Sequence, residues 1–258
     1  MNKGLIFFVF FLLFSNNVIA YESKPVIRAS VSKDFVNGLQ AKYIKYIAEQ
    51  LSLDLKITIM PFARRLFELK QGNLDIMVGV NYSEDREQDL VYIYPPYNSQ
   101  SSSFFSLTDN KDEIKNYSDL HNKTIGIIRG NIYFHRFDND LSLKKSPAIH
   151  IQQSIEMLLH RRIDLFIHNQ ESALLKLAEM GVENLISTTS FQPDNRVDEY
   201  LVISAKSELI KLKPQFTAVI EKAVRNGDFA KIRMEHYRQP NLPLAKSRED
   251  QLLREKQN

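Results

Sequence analysis

Apolar and polar positions follow two periods along the chain, one typical of strands and one typical of helices. Short apolar or alternating runs predict strands at 26–31, 55–59, 74–80, 124–128, 148–151 and 163–167. Between these runs, apolar residues recur every third or fourth position, as Tyr43 and Ile47 do within 38–51. Gly72 follows the next helical segment as a predicted C-cap. Strands that alternate with helices indicate an α/β fold.

The pattern also occurs twice, which predicts two lobes that are built alike. FELKQGNLDIMVGV (67–80) and MLLHRRIDLFIHNQ (157–170) both contain a helix, a polar break, an apolar strand with one aspartate, and a polar exit. Extended segments at 104–107 and 200–203 are interpreted as two crossings between the lobes. The predicted division is 21–107 for the first part of lobe 1, 108–199 for lobe 2, 200–238 for the return to lobe 1, and 239–258 for a charged, mobile tail.

The first 20 residues have the features of a secretory signal peptide. Lys3 precedes the apolar run 5–14, and a short polar stretch then leads to Ala20. The run is shorter than the roughly 20 apolar residues that a spanning helix needs. We expect cleavage after Ala20, with an uncleaved anchor as the alternative. Since the chain has no cysteine, a lipid-modified N-terminus is excluded, and the prediction is an exported, soluble protein. In a bacterium with two membranes, such a protein diffuses in the periplasm.

Composition and charge exclude several other classes of protein. The 258 residues are 43% hydrophobic, which suffices for a sizeable core without disulfides. The 34 basic and 31 acidic residues give a net charge of +3 with no basic block, so nucleic-acid binding is not predicted. The six histidines lack metal-ligand spacing, and no cysteine nucleophile, nucleophile-elbow serine or glycine-rich phosphate loop is present. We therefore predict no metal, no cofactor and no enzymatic activity.

The segment GVNYSEDR (79–86) places a cation where a buried strand leaves its sheet. Open α/β sheets bind ligands at the carboxyl ends of their strands. The guanidinium of Arg86 has a fixed charge and a planar fork that suits two carboxylate oxygens. On the residues alone, a weak surface pair with Glu84 or Asp85 is the alternative.

Three phrases, ELKQGNLDIMVGVNYSEDR, YSDLHNKTIGIIRGN and HRRIDLFIHN, together resemble the periplasmic solute-binding proteins of the polar amino-acid type over about residues 24–238. The most specific element is the G-x-x-x-[ST]-x-x-R pattern, which Gly79, Ser83 and Arg86 match. The resemblance implies a type II fold, in which two lobes with mainly parallel sheets and flanking helices close on a ligand about two hinge crossings. It also implies that Arg86 holds the ligand's carboxylate, helped by Gly79, Asn81 and Ser83.

Three further candidates come from other parts of the chain. Arg129 and Asn131 follow the first strand of lobe 2, where a helix is expected to begin, and the N–H groups of a helix start suit an anion. Arg64 ends a Pro-Phe-Ala-Arg segment that is similar to a Pro-Trp-x-Arg segment in one branch of the family. For both arginines, a solvated side chain is the alternative.

The departure from the family pattern is Asn169. Amino-acid binders of the family carry an aspartate here, which pairs with the ligand's ammonium. An asparagine can cap a helix or donate a hydrogen bond to a ligand, but it cannot neutralise a buried cation. Either Glu171 supplies the charge or the ligand lacks an α-ammonium. If the missing charge is what matters, restoring aspartate at this position is expected to improve amino-acid affinity.

The sequence therefore predicts a monomeric periplasmic protein that binds a small carboxylate-bearing solute, an amino acid or a related organic acid, for ABC-type import through an inner-membrane permease. A module that signals to a membrane sensor would use the same closure and is the main alternative. A dehydratase-like enzyme on the same fold is a minor one.

Overall fold

The computed structural model describes residues 25–193 and 196–238, so the predicted signal peptide and tail lie outside the described residues. Its strands are β1 Val26–Val31, β2 Asp54–Ile59, β3 Ile76–Asn81, β4 Leu90–Gln100, β5 Ser102–Leu107, β6 Thr124–Ile128, β7 Lys144–Ala148, β8 Leu165–Asn169, β9 Ile186–Thr188 and β10 Val197–Ser204. Its helices are α1 Leu39–Leu51, α2 Phe62–Gln71, α3 Glu84–Glu87, α4 His135–Asn139, α5 Ile151–Leu159, α6 Gln170–Glu179, α7 Lys213–Asn226 and α8 Asp228–Tyr237. This order of elements confirms the predicted α/β class. Within the described ranges, no helix has both the length and the apolar character that a membrane span requires.

The first lobe contains two groups of strands that share one core. β1 and β2 pair in parallel, while β10 lies between β3 and β4 and is antiparallel to both. α1 packs on this core through Ile44 and Ile47, and α7 packs on it through Phe216 and Ile220; all four side chains are fully buried. Gly72 ends α2 in the left-handed conformation at φ +80°, so the predicted C-cap is confirmed.

The second lobe is a five-stranded sheet with the order β7-β6-β8-β5-β9. β6 pairs in parallel with β7 and β8, whereas β5 is antiparallel to β8 and β9. Phe104 and Phe105 are both fully buried but belong to different core clusters. Because neighbouring side chains on a strand point to opposite faces, this sheet is covered on both sides.

The chain crosses between the lobes where β4 leads into β5 and where β9 leads into β10. The prediction placed residues 104–107 in the first lobe, but all of β5 pairs within the second sheet, and β10 pairs within the first sheet from Val197 onward. Both crossing strands are antiparallel to their neighbours, so the sheets are mixed rather than mainly parallel. An apolar run could not have revealed this, because a buried strand has the same residue pattern in either direction.

Two local predictions were wrong. The strand predicted at 148–151 ends at Ala148, because His150 is the N-cap of α5 and its side chain accepts a hydrogen bond from the N–H of Gln153. The helix expected to open at Asn131 begins only at His135. Both errors lie at element boundaries, where a single capping side chain or turn decides the local conformation.

Candidate functional site

A cavity of about 140 Å³ lies between the lobes. Asp34, Arg65 and Gly79 line it from the first lobe, and Asn131 and His168 line it from the second. One water takes about 10–15 Å³ on the same measure, so the cavity has room for on the order of ten waters. A solute with about ten non-hydrogen atoms would fill it.

Arg65 is the buried cation of this cavity. It projects from α2 and is 3% exposed. Its Nη1 atom donates to Oε1 of Gln40 at 2.9 Å and to the carbonyl oxygen of Ser30 at 3.4 Å. Among the described residues no carboxylate lies within ion-pair distance of it, and burial lowers the pKa of its guanidinium to about 10. The cavity wall therefore carries a desolvated positive charge that is contacted by neutral oxygens and by the ring of Phe62, and by no acid.

Glu199 is a buried acid on the same cavity. It lies on β10 and is 7% exposed. One carboxylate oxygen accepts from Nδ2 of Asn98 at 2.8 Å, and the other accepts from Nε2 of Gln100. Burial raises the pKa of Glu199 to about 7, and the amide of Asn98, the charge of Arg233 and the amide of Gln100 only partly oppose that rise.

Gly79, near the end of β3, lies close to Glu199 and to Gln40, which contacts Arg65. Gly79 has φ +75°, a conformation that strains any residue with a side chain. A Cβ atom at this position would overlap Nε2 of Gln40 and would lie 3.5 Å from Oε1 of Glu199. Since Gln40 also contacts Arg65, the absence of a side chain at Gly79 lets the cation, the amide and the acid share one wall.

Buried polar atoms without a hydrogen-bond partner concentrate at the cavity. Of the five such side-chain atoms in the described residues, four belong to lining residues: Oδ2 of Asp34, Nε of Arg65, the hydroxyl of Tyr97 and Nδ1 of His168. An unpaired buried polar group costs roughly 1–3 kcal/mol. Burial also lowers the pKa of His168 to about 4, which keeps its imidazole neutral. A ligand that both donates and accepts hydrogen bonds would relieve this cost.

Four of the predicted site residues line the cavity, namely Gly79, Asn81, Asn131 and Asn169. Asn169 is the N-cap of α6, because its Oδ1 accepts a hydrogen bond from the N–H of Ser172 at 2.9 Å. Helix capping is one of the two roles predicted for it. Its Nδ2 atom donates to Oε1 of Gln100. The cap thus leaves the amide group free to take part in the polar network of the cavity.

Arg86 is buried but does not line the cavity. Its guanidinium donates to the carbonyl oxygen of Asn81 at 3.1 Å and, across the lobes, to that of Gly130 at 2.9 Å. Burial lowers the pKa of Arg86. The surface pair with Glu84 or Asp85 does not form, so this arginine links the lobes behind the cavity wall.

The other three predicted residues lie outside the cavity lining. Arg64 is exposed, forms an ion pair with Glu68 and lies over the ring of Phe67. Arg129 is exposed, and Ser83 is the N-cap of α3 without a side-chain capping bond. These geometries match the solvated alternative for both arginines.

Glu171, the alternative acid, forms an ion pair with Arg233 of α8, with Arg233 Nε at 3.0 Å from Oε2. The buried charged side chains that line the cavity are instead Arg65, Glu199 and Asp34, none of which is among the predicted site residues. A signal for Arg65 existed, because it is three residues after Phe62 and four before Leu69, on the apolar face of α2. Glu199 had no such signal, since its burial depends on strands that are distant in sequence.

Known structures share this architecture. A mutant of ArgBP from T. maritima has a TM-score of 0.71 and 18% identity, over 83% of this chain and 96% of that chain. An amino acid ABC transporter substrate-binding protein, AbpA, from Streptococcus pneumoniae, bound to L-arginine, has a TM-score of 0.70 and 18% identity, over 83% and 94%. A histidine kinase sensor domain with similarity to periplasmic binding proteins has a TM-score of 0.71 and 15% identity, over 83% and 96%. These likenesses confirm the two-lobed fold of periplasmic binding proteins.

A comparison with curated protein sequences finds no match. The model of the bacterial extracellular solute-binding proteins, family 3, matches residues 18–239, which is most of the sequence. The match covers both lobes and every residue that lines the cavity. The chain therefore belongs to the bacterial extracellular solute-binding proteins, family 3.

Proposed function

We propose that this protein captures a small carboxylate-bearing solute between its lobes and presents it to an inner-membrane ABC permease. The observation that carries the proposal is Arg65, a buried guanidinium that lines the cavity without an acidic partner. Burying an unpaired charge is costly, and a ligand carboxylate would supply both the missing charge and an acceptor for the unpaired Nε atom.

Contacts across the cleft support capture by closure. Lys176 of α6 donates to the carbonyl oxygen of Asp34 at 2.8 Å, and Arg86 donates to that of Gly130. Glu171 of α6 pairs with Arg233 of α8. Each contact joins one lobe to the other, so each would break when the lobes separate to admit or release a solute.

The proposal is tested by a thermal-shift screen over amino acids, keto acids, hydroxy acids and dicarboxylates. A ligand stabilises the folded protein in proportion to the logarithm of its concentration over its Kd. Arg65→Gln is expected to abolish the shift, because truncating one partner of a buried charge pair costs about 2–5 kcal/mol, or roughly 30-fold or more in Kd. Arg64→Gln is the matched control, because it removes the adjacent but exposed arginine of the same helix. Equal shifts in both variants and in the wild type would remove Arg65 as the anchor.

Arg86 stays a predicted carboxylate contact, and the same screen decides between two roles. If Arg86 binds the carboxylate, Arg86→Ala abolishes the shift as Arg65→Gln does. If it acts as a link between lobes, Arg86→Ala weakens binding of every ligand by a similar factor. The predicted contacts at Ser83, Arg64 and Arg129 would be rejected by alanine variants that bind as the wild type does.

Sensing remains the second candidate function, and the similarity to a histidine kinase sensor domain favours keeping it. Import predicts that deletion of the gene lowers uptake of the radiolabelled ligand. Sensing predicts unchanged uptake and a lost transcriptional response. The dehydratase-like alternative predicts that the stabilising compound disappears with time, whereas a binding protein leaves its concentration unchanged.

We further propose that the protein is a periplasmic monomer with no lipid anchor. Intact-mass measurement of protein from the periplasmic fraction is expected to show a chain that begins at Tyr21. A mass that still includes residues 1–20 would instead support the uncleaved anchor.

A further inference from the structure

The position of Glu199 is set by the centre of the three-stranded sheet. β10 lies between β3 and β4, and Glu199 is in register with Asn81 on one side and with Asn98 on the other. The strand pairing on both sides holds the backbone in place. The carboxylate therefore lines the cavity at the point where the chain has just returned to the first lobe.

The contacts of Glu199 leave its charge unpaired. Both carboxylate oxygens accept from side-chain amides, those of Asn98 and Gln100, and amides carry no net charge. In the part of the chain that the structure describes, no lysine, arginine or histidine lies within ion-pair distance of it. Each carboxylate oxygen can accept more than one hydrogen bond, so the group retains capacity for a further donor.

A directional hydrogen-bond chain connects Glu199 to Asn169. Nδ2 of Asn169 donates to Oε1 of Gln100, and Nε2 of Gln100 donates to Oε1 of Glu199. An aspartate at position 169 has no donor for Gln100 when ionised. It would turn the amide of Gln100 around and direct its oxygen at Glu199. An acid at position 199 and an amide at position 169 are therefore mutually consistent, and two acids are not.

The acid also lies close to the proposed carboxylate anchor. Oε1 of Gln40 accepts from Arg65, and Nε2 of Gln40 lies against Gly79, where Oε1 of Glu199 also approaches. A cation and an acid thus occupy neighbouring points of one wall, separated by a neutral amide. The carboxylate and ammonium of an α-amino acid are likewise separated by a single carbon atom.

We propose that Glu199 supplies the negative charge that pairs with the ligand's ammonium, and that Asn169 is an amide because it donates into the hydrogen-bond chain that ends at Glu199. The inference rests on the proposed function and specifies its ligand class. The solute is an α-amino acid, with its carboxylate at Arg65 and its ammonium at Glu199. Glu199 is then the residue that determines specificity for amino acids over other organic acids.

The test uses each of the twenty common L-α-amino acids and, for each one that binds, the matched α-hydroxy acid, which differs only at the ammonium. The wild type is expected to bind the amino acid at least ~30-fold more tightly by calorimetry. Glu199→Gln keeps the shape but removes the charge, so it should bring this ratio close to one without weakening the hydroxy acid. Glu68→Gln, which neutralises a buried acid outside the cavity lining, is the matched control and should retain the ratio.

A variant that moves the negative charge from position 199 to position 169 separates ion pairing with the ligand from a merely structural role of Glu199. The double variant Glu199→Gln with Asn169→Asp is expected to regain most of the amino-acid preference, and Asn169→Asp alone is expected to gain nothing. An unchanged ratio in Glu199→Gln, or tighter amino-acid binding by Asn169→Asp alone, would overturn the inference.

Failure of the inference is distinguishable from failure of the proposed function. Wild-type protein that binds both members of each pair equally contradicts only the role of Glu199. Wild-type protein that binds a keto acid or a dicarboxylate but no amino acid also contradicts only the inference, whereas protein that binds no carboxylate of the whole screen contradicts the proposed function itself. If Glu199→Gln does not fold, as judged by circular dichroism, Glu199→Ala replaces it, since it also removes the charge and should also bring the ratio close to one.

Discussion

Two strand exits meet at the cavity, one from β3 in the first lobe and one from β8 in the second, and they contribute in different ways. The exit of β3 supplies Gly79, whose missing side chain leaves space, and then Arg86, which reaches past the cavity to the opposite lobe. The exit of β8 supplies His168 and Asn169, which line the cavity and carry no charge. The charges of the cavity come from neither exit. Arg65 comes from α2, Glu199 from β10, and Asp34 from the short segment between β1 and α1.

The largest expected effect is on the pH dependence of stability. Here His168, at the end of β8, and Glu199, on β10, act in opposite directions. The pKa of Glu199 is raised from its ordinary value of 4.5 to about 7. Between these values the folded protein holds a proton that the unfolded chain has lost, so stability falls as pH rises. The pKa of His168 is lowered from 6.5 to about 4, so stability falls as pH drops through that window.

The two trends oppose each other between about pH 4.5 and 6.5, and single variants are expected to separate them. Glu199→Gln should stabilise the protein above pH 7 by about 3 kcal/mol at most and leave it more sensitive to acid. His168→Gln should have the reverse sensitivity. Urea unfolding from pH 4 to pH 8 measures both, and parallel profiles for the two variants would contradict the assigned pKa directions.

The next effect concerns the exit of β3. Gly79→Ala is expected to lower the free energy of unfolding by about 2 kcal/mol and to weaken ligand binding, because the new Cβ atom overlaps Gln40 at a positive φ. Gly181→Ala is the control, since Gly181 has φ +67° and no atom lies within 4 Å of the Cβ position. The control should show the strain alone, with unchanged binding. Equal binding by both variants would mean that the exit of β3 is not part of the site.

The smallest effect concerns the exit of β8. Asn169→Ala removes the N-cap of α6 and is expected to cost about 1 kcal/mol of stability. Asn169→Ser keeps a capping oxygen and should cost much less in thermal unfolding. If both substitutions destabilise equally, the amide contact to Gln100, and not the cap, is the main contribution of Asn169 to stability.

Much of the fold could be predicted because local periodicity is strong. The segments of β1, α1 and β6, and the glycine cap of α2, were found where the hydrophobic pattern placed them. The errors lie where a neighbouring element decides, as with β5, whose antiparallel partners are distant in sequence. The charged lining of the cavity was predicted less well for the same reason. A family motif pointed to Arg64 and Arg86, while burial against other elements places Arg65, Glu199 and Asp34 in the cavity wall.

The sequence by itself determined the α/β class, the two lobes, the family, and the glycine and asparagines that line the cleft, because each depends on short-range periodicity or on a local motif. Only the tertiary structure decided which charged side chains lose their water. Arg64 and Arg65 are adjacent and chemically identical, yet one is exposed beside Glu68 and the other is buried at the cavity. Desolvation depends on what packs around a group in three dimensions, and it is desolvation that turns a charge into a binding site.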